Sequence, residues 1–229
     1  GAAAPRLGVL PLGTGNDLAA GLELPTEPGA AFDVALAGRV QPLDVGCVNG
    51  RCFLNVSTGG FGAEATDETS PEAKRALGAL AYVVTGVKKF VGLDLSSARF
   101  RAGDELLYDG PFFVFAVGNA RRTGGGNWLT PRADPADGLL DVCIVGEMPR
   151  LDFVRLLPEL RAGNHPEHPA VVYRQVARLE IEADRPLSVN ADGEALPSGE
   201  RFVYTLAPWR LPTGLPRPLA PHGANPPGG

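Results

Sequence analysis

The sequence predicts an α+β fold that is mainly β, in which a strand, a glycine-rich loop and a helix precede a β-rich domain beginning near Gln41. Three observations carry this expectation. Leu7–Gly8–Val9–Leu10 is a continuous apolar run without polar alternation, which suits a strand covered on both faces. Gly13 and Gly15 follow it and open onto a helix near Leu18. From Gln41 onward, short apolar runs bounded by Gly, Asn and Asp recur, and only two or three stretches show helical spacing.

Taken in order, Pro11 ends the first strand because it brings no backbone N–H. Asn16 or Asp17 is expected to cap the following helix, and the turn aims several N–H groups at one point where an anion is favoured. Residues 24–29 (LPTEPG) read as a linker, and Ala30 to Ala37 as a short helix closed by Gly38. Gln41 to Thr58 reads as a hairpin around Asn49–Gly50, a strong two-residue turn signal. That loop sets Cys47 opposite Cys52 in a close, non-hydrogen-bonded pair, expected as reduced thiols in a reducing compartment.

Phe61 to Thr69 and Ala73 to Phe90 are the expected helices of the middle of the chain. In the second, Leu77, Leu80, Ala81, Val84 and Val87 recur at helical spacing, with Lys88 and Lys89 near the C-terminus. Leu95 to Arg101 and Leu106 to Val117 are strands around a turn at Gly103–Asp104. A loop from Arg121 to Pro131, a strand from Leu139 to Val145 and a helix from Leu151 to Arg161 follow. Ala170–Glu182, Leu187–Ala191 and Arg201–Leu206 are expected strands. From Trp209 the chain is rich in Pro and Gly and reads as an extended, poorly ordered tail. The domain division is therefore 1–40, 41–210 and a tail over 211–229.

The 229 residues are 44% hydrophobic and 21% charged, which is the composition of a globular chain with a substantial core. A net charge of −5 speaks against nucleic acid as a partner and against a polybasic membrane patch. Ala76 to Val87 is too short to span a bilayer, and no charged leader opens the chain, so a cytoplasmic protein is expected. His165 and His168 flank Pro166 without a Cys partner and make a poor zinc site.

Two stretches could carry chemistry. On an extended Val189–Glu194 segment, Asn190, Asp192 and Glu194 share one face, and two neighbouring carboxylates with a raised pKa suit a general base. A solvated turn around Gly193 accounts for the same residues. Asp134–Pro135–Ala136–Asp137–Gly138 offers the oxygen donors that Mg²⁺ prefers, and an Asx-type turn, which needs no metal and is commoner, accounts for it too.

Read together, these segments resemble the diacylglycerol kinase-like lipid kinases. PLGTGND matches the family's P-x-G-T-x-N-D segment at Gly13, Thr14, Asn16 and Asp17, which the resemblance makes nucleotide-binding residues. Asn55 to Phe61 resembles a further family segment, read as structural. Gly118–Asn119–Ala120–Arg121–Arg122 and the three following glycines resemble G-N-x-R-x-x-G-G-G, with Arg121 as a phosphate or head-group contact. Pro131, Ala133, Asp137, Gly138, Leu140 and Asp141 match P-x-A-x-x-x-D-G-x-L-D. That match implies a structural Mg²⁺ held by the Asp137 carboxylate and the Asp134 and Leu139 carbonyls. Asp44 stands where the family links the Thr14 loop to this metal through water. The D-G-E segment implies a catalytic pair, Asp192 and Glu194, and leaves open which takes the proton.

The resemblance implies a β-sandwich lipid-binding domain preceded by a strand-loop-helix remnant of an α/β nucleotide-binding domain. It implies ATP-dependent phosphorylation of a lipid hydroxyl by a cytoplasmic protein peripheral to the membrane, and it leaves self-association as a homodimer open. The family's G-G-D-G-T phosphate loop is absent from the sequence. The chain therefore reads as the C-terminal portion of such a kinase, inactive alone, with a non-catalytic lipid-binding module as the alternative.

Overall fold

The structure, a computed structural model, describes residues 6–60 and 95–217. The two helices expected between Phe61 and Phe90 lie outside the described residues. At the N-terminus, Leu7 donates its N–H to the Pro212 carbonyl at 2.7 Å and accepts from Gly214 N at 3.0 Å. Of the expected strand Leu7–Leu10 only Leu7 pairs, in a parallel bridge to Thr213. Leu10 and Leu12 stay 41% and 71% exposed. Helix α1 (Asp17–Gly21) follows, then α2 (Pro28–Ala37) and strand β1 (Arg39–Leu43).

Helix α2 starts two residues before its expected position. Pro28 supplies a preset φ, and the Glu27 carboxylate accepts the Gly29 and Ala30 N–H groups at 2.9 and 2.6 Å. The residues Leu211–Leu215, expected as the start of a tail, instead form β13, which pairs antiparallel with β1 over five residues. Pro212 and Gly214 are tolerated because the pair is a two-stranded ribbon whose other edge meets the single residue Leu7, so no long ladder is interrupted. Leu215 joins Ala19, Leu22, Leu24 and Leu43 in a small core of its own.

The main body is a curled antiparallel sheet. Its strands are β2 (Gly46–Val48), β3 (Arg51–Phe53), β4 (Val56–Gly60), β5 (Ser96–Ala102) and β6 (Glu105–Gly118). They continue as β7 (Leu140–Gly146), β8 (Val171–Val176), β9 (Arg178–Leu187), β10 (Val189–Ala191), β11 (Glu194–Ala195) and β12 (Gly199–Leu206). The path runs β11-β10-β4-β6-β5-β9-β12-β2-β3, with β7 and β8 branching from β6. The long β6 makes this possible. Its first half pairs with β5, and its second half pairs with β4 on one edge and β7 on the other.

The expected hairpin is present between β2 and β3, closed by Asn49 and Gly50 at φ 46° and 82°. Cys47 pairs with Cys52, as that loop requires. The single strand expected over Ala170–Glu182 is two strands that break at Ala177. Before it the chain pairs with β7, and after it with β12 and β5. The second half of β6, from Phe112, and the whole of β7 are buried on both faces, which explains their apolar runs. Leu140, Val142 and Ile144 face one core with Phe100, Phe115 and Tyr204. Cys143 and Val145 face a second core with Phe153, Leu156 and Leu160 of helix α3 (Arg150–Ala162).

Candidate active site

The glycine-rich N-terminal loop is closed by Asn16. Its Oδ1 accepts the Gly13 N–H at 2.9 Å, and its Nδ2 donates to the Pro11 and Gly13 carbonyls. Asn16 stands at the N-cap of α1 with φ 48°, but its side chain makes no cap hydrogen bond. The capping role expected of it is replaced by this fold-back onto its own loop. Asp17 also leaves the helix end. Its Oδ2 accepts Gly125 N and its Oδ1 accepts Gly126 N, both at 2.8 Å. Gly124, Gly125 and Gly126 all have positive φ, a conformation that turns successive N–H groups into one concavity for an anion. Asp17 fills that concavity. Thr14 is exposed at the tip of the loop.

Asn119 is the hub of the next layer. The N–H groups of Asn119 and Ala120 both donate to the Asn55 carbonyl at 2.9 Å. The Asn119 Nδ2 donates to the Leu54 carbonyl at 2.9 Å and to the Asp44 carbonyl at 3.0 Å. The preceding Gly118 is required by packing, since a Cβ there would collide with Thr130. Asn119 Oδ1 and Asn55 Oδ1 are buried without a hydrogen-bond partner among the described residues. Two orphaned acceptors at one junction are costly unless a donor from water or ligand reaches them. Arg121 turns inward, with its Nε on the Ala133 carbonyl at 2.8 Å.

Asp44 joins the metal-type loop to this hub. It is 4% exposed, its Oδ2 accepts Gly138 N at 2.8 Å, and its Oδ1 pairs with Arg210 Nε at 2.7 Å. In the loop itself, Asp134 Oδ1 accepts Ala136 N and Asp137 Oδ1 accepts Leu139 N, two Asx turns in succession. Gln175 Nε2 reaches both Asp137 Oδ2 at 3.1 Å and the fully buried Asp141 Oδ2 at 3.2 Å. No cluster of three or more His, Cys, Asp or Glu able to hold a metal exists among the described residues. A cation here would rest on one carboxylate, backbone carbonyls and water, a hard-oxygen set that suits Mg²⁺.

The D-G-E segment is a turn. Asp192 and Gly193 have φ of 51° and 87° and connect β10 to β11, with Ala191 opposite Glu194. The alternation expected for an extended chain is reset here, so Glu194 falls on the face of its cross-strand partner Ala191 rather than beside Asn190. Asp192 is tied back to the Asn55 segment: its Oδ2 accepts Leu54 N at 2.7 Å, and its Oδ1 accepts Asn55 N and Val56 N at 2.9 and 3.1 Å. The residue is exposed overall, but its carboxyl group is turned in against these three amides. Burial pushes that carboxyl above its ordinary value, and the three N–H bonds oppose the shift. Glu194 is exposed, and its carboxylate makes no hydrogen bond among the described residues.

The separated segments thus meet. Asp192 grips residues 54–56, Asn119 ties these to Asp44, Asp44 holds Gly138, and Asp17 holds Gly125 and Gly126. Sequence reasoning missed Arg210, which lay in the presumed tail, and Gln175, whose place on a strand gave no signal of a carboxylate partner.

Comparison with known proteins identifies the family and the fold. Residues 55–211 match the family model described as the YegS C-terminal NAD kinase beta sandwich-like domain, and residues 1–48 match the diacylglycerol kinase catalytic domain. A probable lipid kinase YegS-like protein of Pseudomonas aeruginosa is 41% identical over 210 residues, covering 92% of this chain and 68% of the relative. One from Alcanivorax borkumensis is 38% identical over 193 residues, covering 83% and 64%. The crystal structure of a diacylglycerol kinase from Bacillus anthracis strain Sterne shares the fold, with a TM-score of 0.67 at 19% identity, covering 92% of this chain and 67% of that one. A second crystal structure from the same strain reaches a TM-score of 0.76 at 22% identity, covering 92% and 68%. With its residues 1–48 matching the catalytic domain, its residues 55–211 matching the β-sandwich-like domain and relatives above 30% identity over most of its length, this chain belongs to the YegS-like family of lipid kinases.

Proposed function

We propose that the chain carries the lipid-side half of an ATP-dependent kinase that phosphorylates a lipid hydroxyl, with Glu194 as the proton acceptor. The observation that supports this most is the different state of the two carboxylates of the D-G-E turn. Asp192 has both oxygens engaged by backbone amides, whereas Glu194 presents a free carboxylate two residues away. Asp192 is then a positioning residue that fixes the turn to residues 54–56. Glu194 takes the hydroxyl proton as the oxygen attacks the terminal phosphoryl group.

The Gly13–Asp17 loop would face the nucleotide, with Thr14 and the loop amides toward phosphate and Asp17 holding the loop in place. Asp137, with the Asp134 and Leu139 carbonyls, would hold Mg²⁺, which when bound supplies a fixed positive charge in this loop. The Asp44 carboxylate holds the neighbouring Gly138. Arg121 would reach a phosphate or head group only with the part of its guanidinium not engaged by Ala133. We place the working protein at a membrane surface, where its lipid substrate resides; no helix among the described residues is long and apolar enough to cross one. Among the described residues the Gly13–Asp17 loop is the main phosphate-side segment, so millimolar affinity for ATP or weaker is expected of the 229 residues alone.

The test is transfer of labelled γ-phosphate from ATP to vesicles containing diacylglycerol, by the protein complete with any G-G-D-G-T-bearing segment. Glu194→Gln should lower turnover by about 10²-fold or more with little change in nucleotide affinity. Activity within a factor of two of the unaltered protein would remove Glu194 from the mechanism.

A further inference from the structure

We propose that Cys47 and Cys52 form a modification site that takes a low-molecular-weight disulfide and closes into a reversible cross-strand disulfide, stiffening the segment that grips Asp192. The two residues are direct partners in the β2–β3 hairpin, and their sulfur atoms lie 2.7 Å apart. Flanking a two-residue turn by one further pair, they occupy a narrow site with Cα atoms about 4.5 Å apart. That spacing lies within the range of about 4.4–6.8 Å that a disulfide spans.

The hairpin is held rather than free to fray. Asn49 Nδ2 donates to the Arg201 carbonyl at 2.9 Å, Asn49 Oδ1 accepts Val203 N at 2.8 Å, and Asn49 N donates to the Val203 carbonyl at 3.0 Å. The thiols are therefore presented to each other by the fold. Their accessibilities differ: Cys52 is exposed, Cys47 is half-buried, and Cys143 is buried in the second core. Burial, reinforced by the neighbouring Cys52, pushes the Cys47 thiol up to about 12. Cys52 is thus the entry point and Cys47 the resolving group.

With glutathione disulfide as oxidant, the Cys52 thiolate attacks one sulfur, the glutathione S–S bond breaks and one glutathione thiolate leaves. Cys47 gives its proton to solvent and attacks Cys52 Sγ, and the second glutathione leaves. Two protein thiols are oxidised and one glutathione disulfide is reduced to two thiols. Strand β3 ends at Phe53, and the next three residues carry the amides that hold the Asp192 carboxylate. A covalent tie at Cys52 restrains that segment.

The test uses the 229-residue chain, folded, incubated with glutathione disulfide, quenched by alkylation and read by intact mass and peptide mapping. The expected product is lighter by two hydrogens, links Cys47 to Cys52 and leaves Cys143 free. Cys47→Ser should stop at one glutathione adduct on Cys52. Amide exchange at Leu54, Asn55 and Val56 should slow by about tenfold on oxidation, because hairpin opening is then constrained. An unaltered chain that stays reduced, or that accumulates a stable glutathione adduct, overturns the site. A correct disulfide with unchanged exchange at residues 54–56 overturns its link to Asp192.

Discussion

The Asp17 carboxylate receives the Gly126 N–H at 2.8 Å across 109 residues of sequence, and its other oxygen receives the Gly125 N–H at the same distance. This contact ties the first helix to the glycine-rich loop that follows β6. The loop has few other restraints of its own: Thr123 and Asn127 bridge its base, and Asn127 Nδ2 caps the Thr123 and Gly124 carbonyls. Three glycines with positive φ are costly to order, so an anion in their concavity matters for their conformation.

Asp17→Ala should therefore free the Gly125 and Gly126 amides, raising their exchange by about tenfold, since each charge-assisted bond contributes on the order of 1–2 kcal/mol. Asp17→Asn keeps one acceptor oxygen and should fall between. Amide exchange resolved at these two glycines checks this. Equal protection in Asp17→Ala and the unaltered chain would show that the loop holds itself.

Much of the strand content was legible because side-chain period and turn chemistry are local. Asn49–Gly50 fixed the β2–β3 register without knowledge of any distant residue, and Cys47 fell opposite Cys52 as a consequence. Contacts across long separations were not legible. Asp17 reads as a cap in isolation, because its partners lie in another motif. Leu211–Leu215 reads as a tail because Pro212 and Gly214 are breakers in most strands, yet β1 and Leu7 give that segment its partners. The turn at Asp192–Gly193 was readable, since Asp-Gly is a two-residue hairpin signal. Treating the segment as extended hid the fact that its two carboxylates do not share a face.

The Asp192 carboxyl gives a pH test with a definite sign. Raised by burial above its ordinary 3.8, it binds a proton more tightly in the folded chain than in the unfolded one. Its contribution then favours the fold at low pH and is lost as pH rises from 3.8 through the folded value. Asp192→Asn lacks this titration, so its destabilisation relative to the unaltered chain should shrink between about pH 3 and pH 6. Urea unfolding of both proteins across that range measures it. If the cost of the substitution instead grows with pH, the three amides of Leu54, Asn55 and Val56 outweigh burial and hold the carboxyl low.

The pair formed by Asp44 and Arg210 is uneven, and the unevenness makes a prediction. Asp44 is 4% exposed and Arg210 is 46% exposed, with Nε to Oδ1 at 2.7 Å. Removing the arginine leaves a buried carboxylate with one remaining side-chain contact, the Gly138 N–H. Removing the carboxylate charge leaves a guanidinium that water can solvate. Arg210→Ala should therefore destabilise by about 1–2 kcal/mol, a drop in Tm of roughly 2–8 °C for a chain of this size. Asp44→Asn should cost less, because Asn still accepts from Gly138. Once Asp44 is neutral, Arg210→Ala should cost little more, so the double variant should be more stable than the sum of the single losses by about 1 kcal/mol. Since Asp44 Oδ2 anchors Gly138, Arg210→Ala should also raise amide exchange between Asp134 and Leu139. Strict additivity of the two substitutions in thermal unfolding, with exchange in that loop unchanged, would show that Arg210 only lies over Asp44 and does not hold it.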